Sequence, residues 1–298
     1  MPTSTSGSEG SLTLSGDALR DAIAALPPLR DVIARHGLAA KKSLGQNFLL
    51  DLNVTARIVR EAGDLVGVHV VEIGPGPGGL TRALLASAAA SVTVIERDRR
   101  FQPALEELAA VAGDRLRVVE ADALKTDILA LVPAPRAVIA NLPYNVATPL
   151  LIGWLRRIDQ FRSLTLMFQK EVADRMVAEP RSHAYGRLSV IAQWCAEVDP
   201  LLTLPARAFT PPPKVDSTVV RFRPRSDREE VPFATMEAVT AAAFGQRRKM
   251  LRASLRSLGD AEALLAESDL PPTARAEEID IAGFVRLARA VGARPAKG

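Results

Sequence analysis

The chain is poor in residues on which several common architectures depend. A single cysteine, Cys195, occurs in 298 residues, so no intrachain disulfide framework exists and no Cys/His spacing suits a structural zinc. Cys195 lies in the apolar run Leu188 to Val198 and reads as a small buried core residue. The histidines, His36, His69 and His183, form neither a ligand set nor a catalytic pair. Aromatics make up only 4% of the residues. The core must therefore be built from Leu, Val, Ile and Ala, and any aromatic beside a loop motif stands out. No apolar run approaches the ~20 residues that span a bilayer. The N-terminus also lacks the basic-then-apolar order of a secretory leader. These absences point to a soluble, cytoplasmic protein with no metal and no membrane partner.

What is present is an apolar content of 48% and a formal charge of +4, with an isoelectric point near 9.5. That balance suits a nucleic-acid partner without requiring one. The length accommodates one large and one small domain. Residues 1–16 are rich in Ser, Thr and Gly and are expected to be disordered. Helical patterns follow at Asp17 to Ala25, Leu29 to His36 and Asn53 to Ala62. From Val68 onward, short apolar strands alternate with helices. The strands are His69 to Ile73, Ser91 to Glu96, Leu116 to Glu120, Ala137 to Ala140 and Leu164 to Phe168. The helices are Thr81 to Ala90, Phe101 to Val111 and Pro149 to Arg157. Such alternation predicts a parallel, Rossmann-like α/β sheet. A further strand at Ser217 to Phe222 and a polar linker lead into a small all-helical domain. The expected division is an N-terminal extension over 1–37, an α/β domain over 38–225 and a helical domain over 226–298.

The first strand runs into Glu72-Ile-Gly-Pro-Gly-Pro-Gly-Gly-Leu-Thr81. Ligands of doubly wound sheets bind at the carboxyl ends of strands, where Gly74 and Gly76 let the backbone approach closely. Glu96 ends the next strand and can accept hydrogen bonds from two ribose hydroxyls. Asp122 follows the third strand and is placed to meet an adenine ring. Gly74, Gly76 and Gly79 also satisfy the dinucleotide pattern G-x-G-x-x-G, so the loop alone fits a nicotinamide dehydrogenase. Its two prolines make it stiff for a pyrophosphate loop, and a nucleoside such as S-adenosylmethionine suits it better.

After the fourth strand comes Asn141-Leu142-Pro143-Tyr144. The exocyclic amine of adenine is a poor nucleophile because its lone pair is delocalised into the ring. Two acceptors aimed at its hydrogens, the Asn141 side-chain oxygen and the Leu142 carbonyl, can localise that pair. Pro143 stiffens the turn, and Tyr144 offers a face for an extruded base. Phe209, held by the prolines that follow, is a candidate second stacking surface; its bland alternative is core packing.

The blocks KKSLGQNFL, VEIGPGPGGLT, VIERD, EADAL, NLPYNVATPLL, YGRLSV, FTPPPKVDSTVV and AFGQRRKMLR occur in this order over about 38 to 290. Together they resemble the bacterial 16S ribosomal RNA adenine dimethyltransferases. The resemblance implies a class I methyltransferase sheet with a small helical domain, and S-adenosylmethionine as cofactor. It implies that Asn47 and Leu49 join Gly74, Gly76, Glu96, Asp122 and Asn141 around the cofactor, with Asn141 serving both pockets. It also implies a substrate: two adjacent adenosines in a hairpin near the 3′ end of 16S rRNA, each dimethylated in the immature small subunit. The extension before Leu38 departs from the family pattern.

Ala243 to Leu258 is expected to be one helix, with Leu251, Leu255 and Leu258 on its apolar side. Arg248, Arg252 and Arg256 then form a stripe flanked by Arg247 and Lys249, a candidate phosphate track. Tyr185 reads as structural, and the protein as a monomer. Three other readings compete. One is an antibiotic-resistance methylase of large-subunit rRNA, one a ribosome-assembly factor without catalysis, and one a dehydrogenase.

Overall fold

The structure is a computed structural model that describes residues 16–41, 44–246 and 248–294. Its strands are β1 (Phe48–Leu49), β2 (His69–Ile73), β3 (Ser91–Glu96), β4 (Leu116–Glu120) and β5 (Arg136–Ala140), followed by β6 (Ser163–Gln169), β7 (Ala196–Leu204), β8 (Phe209–Thr210) and β9 (Ser217–Pro224). Seven of them form a mostly parallel sheet in the order β4-β3-β2-β5-β6-β9-β7, and β1 pairs with β8 in a separate ribbon. The α/β architecture expected from the alternating pattern is therefore the one observed. The chain divides into two compact units, Met1–Val146 with Ala206–Lys214, and Ala147–Pro205 with Val215–Gly298.

In the first unit β2 pairs in parallel with β3 and β5, and β3 with β4. Val70, Val71, Val92, Val94, Ala137 and Val138 are fully buried, as strands covered on both faces require. The outermost strand, β4, is half exposed and carries Arg117 and Glu120 at its surface, where charge discourages edge pairing. Residues 16–36 fold as helices Gly16–Ala24 and Leu29–His36 and bury Leu19, Ile23, Leu29 and Val32. Two arginine bonds hold them: Arg20 Nε donates to the Ala86 carbonyl at 2.8 Å, and Arg82 Nη1 to the Pro27 carbonyl at 2.7 Å. The disorder expected over residues 1–16 lies outside the described residues except at Gly16, which opens the first helix instead.

The second unit contains two antiparallel pairs, β6 with β9 and β9 with β7. Strand β7 has no counterpart in the sequence reading. The apolar run around Cys195 divides there, the helix Arg187–Cys195 passing directly into the strand. Pro200 masks the strand pattern, and the register shifts between Pro200 and Leu202, where a bulge tolerates the missing N–H. The scarce aromatics are used in groups: Tyr185 meets Phe244 edge-on at 6.0 Å, and Phe244 stacks on Phe284 at 5.5 Å. Cys195 is buried, and burial pushes its thiol up to about 12.

Two helical expectations need correction. The helix expected from Pro149 begins already at Tyr144 and keeps Pro149 inside it. The hydrogen bond Pro149 forgoes would have reached only Asn145, an exposed first-turn residue. The expected single helix from Ala243 to Leu258 does not form. Helix Phe233–Gly245 ends at its glycine, a helix of four residues covers Leu251–Ser254, and a 3-10 turn covers Leu255–Leu258. Long-range pairing overrides the local pattern: Met250 bridges Arg275, and the Leu251 N–H donates to the Ala274 carbonyl at 2.8 Å. Leu251 and Leu255 are nonetheless fully buried.

Tyr185 is structural, as the sequence suggested. It is fully buried, its hydroxyl donates to the Ile279 carbonyl at 2.8 Å, and burial pushes its phenol well above the ordinary tyrosine range. The hydroxyl therefore keeps its proton and remains a donor. Tyr185→Phe leaves that buried carbonyl without its donor, and urea denaturation is expected to show a loss of about 1–3 kcal/mol.

Candidate active site

The four parallel strands of the first unit place their carboxyl ends on one edge, so residues far apart in sequence converge there. After β2 the loop turns through Gly74, Gly76 and Gly78, with φ of 66°, 53° and 89°. These left-handed values are open to glycine at no steric cost. A Cβ on Gly76 would lie 3.3 Å from the Phe48 ring. One on Gly79 would lie 2.5 Å from the Leu49 carbonyl oxygen, a contact that backbone cannot yield to. Strand β1 thus presses on the glycine loop. Phe48 rests edge-on against Phe101 at 5.7 Å, and Leu49 pairs with Phe209 across the ribbon.

Glu96 closes β3, and its carboxylate accepts the Gly76 N–H at 3.2 Å and the Asp98 N–H at 2.8 Å. A carboxylate has about four lone-pair sites, and the backbone donors do not fill them, which leaves Glu96 able to accept from a ligand hydroxyl. Burial raises the pKa of Glu96, and the backbone donors at Asp98 and Gly76 oppose that rise. Glu72 lies deeper, 2% exposed, and accepts the Thr81 hydroxyl at 2.7 Å. Burial, opposed by that bond and reinforced by Glu96, pushes its carboxyl up to about 8. Asp122 caps the turn after β4, accepting the Leu124 N–H at 3.0 Å, and pairs with Arg97 at 3.3 Å.

This donor set fits S-adenosylmethionine. Acceptors at Glu96 suit hydroxyl donors, and the left-handed turns at Gly74, Gly76 and Gly78 let the backbone approach a nucleoside closely. Among the described residues no group of three or more His, Cys, Asp and Glu could hold a metal.

Asn141 follows β5 and is partly exposed, with Leu142 buried beneath it. Its Nδ2 donates to the Asn47 carbonyl at 3.1 Å. Asn47 in turn donates its own Nδ2 to the Gly45 carbonyl at 3.2 Å. Pro143 approaches both glycine turns: a Cβ would lie 3.7 Å from it at Gly45 and 3.8 Å from it at Gly74. The Val146 N–H donates to the Pro143 carbonyl at 3.1 Å, closing the turn that starts the Tyr144 helix. Tyr144 is half-buried. Phe209 is 3% exposed, so a base that stacks on it must displace what now covers it.

Asn47, Leu49, Gly74, Gly76, Glu96 and Asn141, all expected at the site from sequence, thus meet in the first unit, with Asp122 at the end of the neighbouring strand. In the second unit Arg248, Lys249, Arg252 and Arg256 are all exposed; Arg247 lies outside the described residues. The bridge at Met250 also brings in exposed Arg275, which no local pattern announces. In the first unit sequence reasoning passed over Gln46, Asp98 and Arg100, although the first two sit inside quoted motifs. Gln46 Nε2 donates to Asp98 Oδ2 at 3.1 Å, and Arg100 Nη2 donates to the same oxygen at 2.5 Å.

A family described as "Ribosomal RNA adenine dimethylase" matches residues 37–291. The "Ribosomal RNA small subunit methyltransferase A" of Rhodospirillum rubrum is 62% identical over 269 residues, covering 90% of this chain and 93% of the relative. That of Paramagnetospirillum magneticum is 60% identical over 277 residues, covering 93% and 99%. Among solved structures, a dimethyladenosine transferase from Plasmodium falciparum is similar with a TM-score of 0.70 and 26% identity, over 80% of this chain and 94% of that one. The 23S rRNA methyltransferase ErmE is similar with a TM-score of 0.62 and 29% identity, over 83% of this chain and 100% of that one. No helix among the described residues is long and apolar enough to cross a membrane.

Glu72 carries a prediction about stability. Its folded pKa of about 8 exceeds the ordinary 4.5, so the folded state holds a proton that the unfolded chain releases. Stability therefore falls as pH rises between those values, with a slope of at most ~1.4 kcal/mol per pH unit. Glu72→Gln keeps an acceptor for Thr81 and should flatten that decline in urea titrations from pH 5 to 8. An unchanged slope would place the titration elsewhere.

Proposed function

Since this chain belongs to the ribosomal RNA adenine dimethylase family, we propose that it dimethylates two adjacent adenosines of 16S rRNA. They lie in a hairpin near the 3′ end, within the immature small subunit. The enzyme is an S-adenosylmethionine-dependent rRNA adenine methyltransferase. In this reading it acts as a cytoplasmic monomer, residues 38–225 carry the chemistry, and residues 226–298 contact the RNA.

The observation that carries the reading is the bond from Asn141 Nδ2 to the Asn47 carbonyl. An amide nitrogen only donates, so that bond commits the nitrogen to the protein and leaves Oδ1 as the outward acceptor. With the Leu142 carbonyl it supplies the two acceptors that an exocyclic amine needs to localise its lone pair. Tyr144 provides a stacking surface for the extruded base, and Phe209 a second once what covers it is displaced. Asn47, Leu49, Gly74, Gly76, Glu96, Asp122 and Asn141 hold the cofactor. S-adenosylmethionine, when bound, supplies a methyl group on a sulfonium whose departure leaves a neutral thioether. The protein therefore needs no general base before transfer: it positions the amine, and water takes the proton afterwards.

The test is transfer of labelled methyl groups to small subunits purified from cells lacking the gene. The wild type should label the adjacent adenosines and give dimethyladenosine on digestion. Asn141→Ala should bind the same subunits but lose transfer by about 10²–10³-fold. Labelling of large subunits alone would favour the resistance-methylase reading, and tight binding without labelling a factor that has lost catalysis.

Exposed Arg248, Lys249, Arg252 and Arg256, with Arg275 beside them and Arg247 in the same segment, are assigned to RNA phosphates. Replacing both Arg248 and Arg252 with Ala should weaken binding and reduce the salt slope by about 1 for each phosphate no longer neutralised. A slope unchanged from wild type would make these residues ordinary surface.

A further inference from the structure

We propose that Gln46, Asp98 and Arg100 form a positioning clasp that fixes the loop bearing Asn47 and thereby holds the Asn141 amide in its reactive orientation. The inference rests on the role given to Asn141 above and adds the residues that act through it.

The clasp starts at the cofactor side. The Asp98 N–H donates to Glu96 Oε1 at 2.8 Å, so Asp98 is tied to the ribose-side carboxylate. Its own carboxylate is gripped on both oxygens. Arg100 Nε donates to Oδ1 at 2.9 Å, and Oδ2 accepts Arg100 Nη2 at 2.5 Å and Gln46 Nε2 at 3.1 Å. These bonds, led by Arg100, hold the Asp98 carboxyl down at about 2. It therefore stays charged under any working condition.

Gln46 carries the link onward. Its Oε1 accepts the Lys41 N–H at 2.9 Å and Arg100 Nη2 at 3.2 Å. Arg100 Nη1 also donates to the Ala39 carbonyl at 2.9 Å. Ala39, Lys41 and Gln46 are thus tied together by one guanidinium and one amide. Between Ala39 and Gln46 apolar burial adds little, Leu44 being 44% exposed, whereas buried Phe48 and Leu49 anchor the far side of Asn47. Asn47 is the next residue, and its carbonyl receives the Asn141 amide. The order Glu96, Asp98, Gln46, Asn47, Asn141 is therefore a continuous path from the ribose-side carboxylate to the amine acceptor. Packing runs alongside it. The Arg100 guanidinium lies 5.5 Å from the Phe101 ring centre, and Phe101 supports Phe48 beneath the glycine loop.

A clasp of this kind acts on orientation more than on occupancy. Without Gln46, the Asn47 carbonyl loses its fixed position and the Asn141 amide is free to turn. Misplacement of about 1 Å at a reacting group costs on the order of 10²-fold. In Gln46→Glu a carboxylate stands where Nε2 donated, beside charged Asp98, with Arg100 pairing both. Like charges that close raise the pKa of one partner. Once protonated, the introduced carboxyl can again donate to Asp98 and accept from Lys41 and Arg100.

The experiment compares full-length wild type, Gln46→Ala and Gln46→Glu in steady-state methylation of small subunits from pH 5.5 to 8.5. Binding of S-adenosylmethionine is measured by calorimetry alongside. Gln46→Ala should lower kcat by about 10- to 100-fold with cofactor affinity changed far less, and its ratio to wild type should not vary with pH. The Gln46→Glu ratio should climb towards wild type as pH falls. Wild-type kcat in Gln46→Ala, or a Gln46→Glu ratio independent of pH, overturns the clasp. Failure of the wild type itself to methylate would instead overturn the parent reading, so the two are distinguishable.

Discussion

The hydrogen bond between Asn141 and the Asn47 carbonyl joins points 94 residues apart, and much of the first unit exists to keep its two ends in place. One end hangs on β5, the strand whose buried Ala137, Val138 and Ile139 leave it no freedom to slip. The other is Asn47, which buried Phe48 and Leu49 anchor on one side and polar contacts through Gln46 secure on the other. A side-chain amide has two chemically different ends of nearly the same shape, so orientation is the information at stake. The Asn47 carbonyl supplies it by accepting from only one of them.

Much of the architecture could be read from local pattern because local forces determine it. Strands β2 to β5 are short apolar runs closed by glycine, acid or turn residues, and each carries its functional group at its carboxyl end by topology alone. The positions of Glu96, Asp122 and Asn141 relative to their strands were therefore legible from sequence. What escaped was set by distant partners. Strand β7 contains Pro200 and several polar residues, and only its pairing with β9 makes it a strand. The basic segment after Gly245 has a helical period, but Ala274 and Arg275 draw its backbone into a bridge. Gln46 and Asp98 sat in recognised blocks, yet 52 residues separate them and nothing in either block names the other.

The two units also deploy their charge differently. Around the glycine loop, burial keeps Glu72 and Glu96 more easily protonated than ordinary acids, while Asp98 and Asp122 pair with Arg100 and Arg97. In the second unit the exposed cations cluster after Gly245, while Arg221, Arg223 and Arg228 are already engaged with Asp199, Glu197 and Asp159. A net charge of +4 conceals this division. The isoelectric point alone says little about either surface.

The ribbon of β1 and β8 makes the first unit discontinuous in sequence, since Phe209 and Thr210 return to it after the chain has entered the second. No single cut can isolate that unit. A fragment ending at Val146 keeps every residue proposed to hold the cofactor, yet leaves the β1 edge bare where Leu49 braces Gly79. Anyone preparing a minimal catalytic fragment would have to graft residues 206–214 back, through a linker replacing 147–205. Cassette exchange between relatives must likewise move the two segments together, because the strand that supports the glycine loop in one parent expects its own partner.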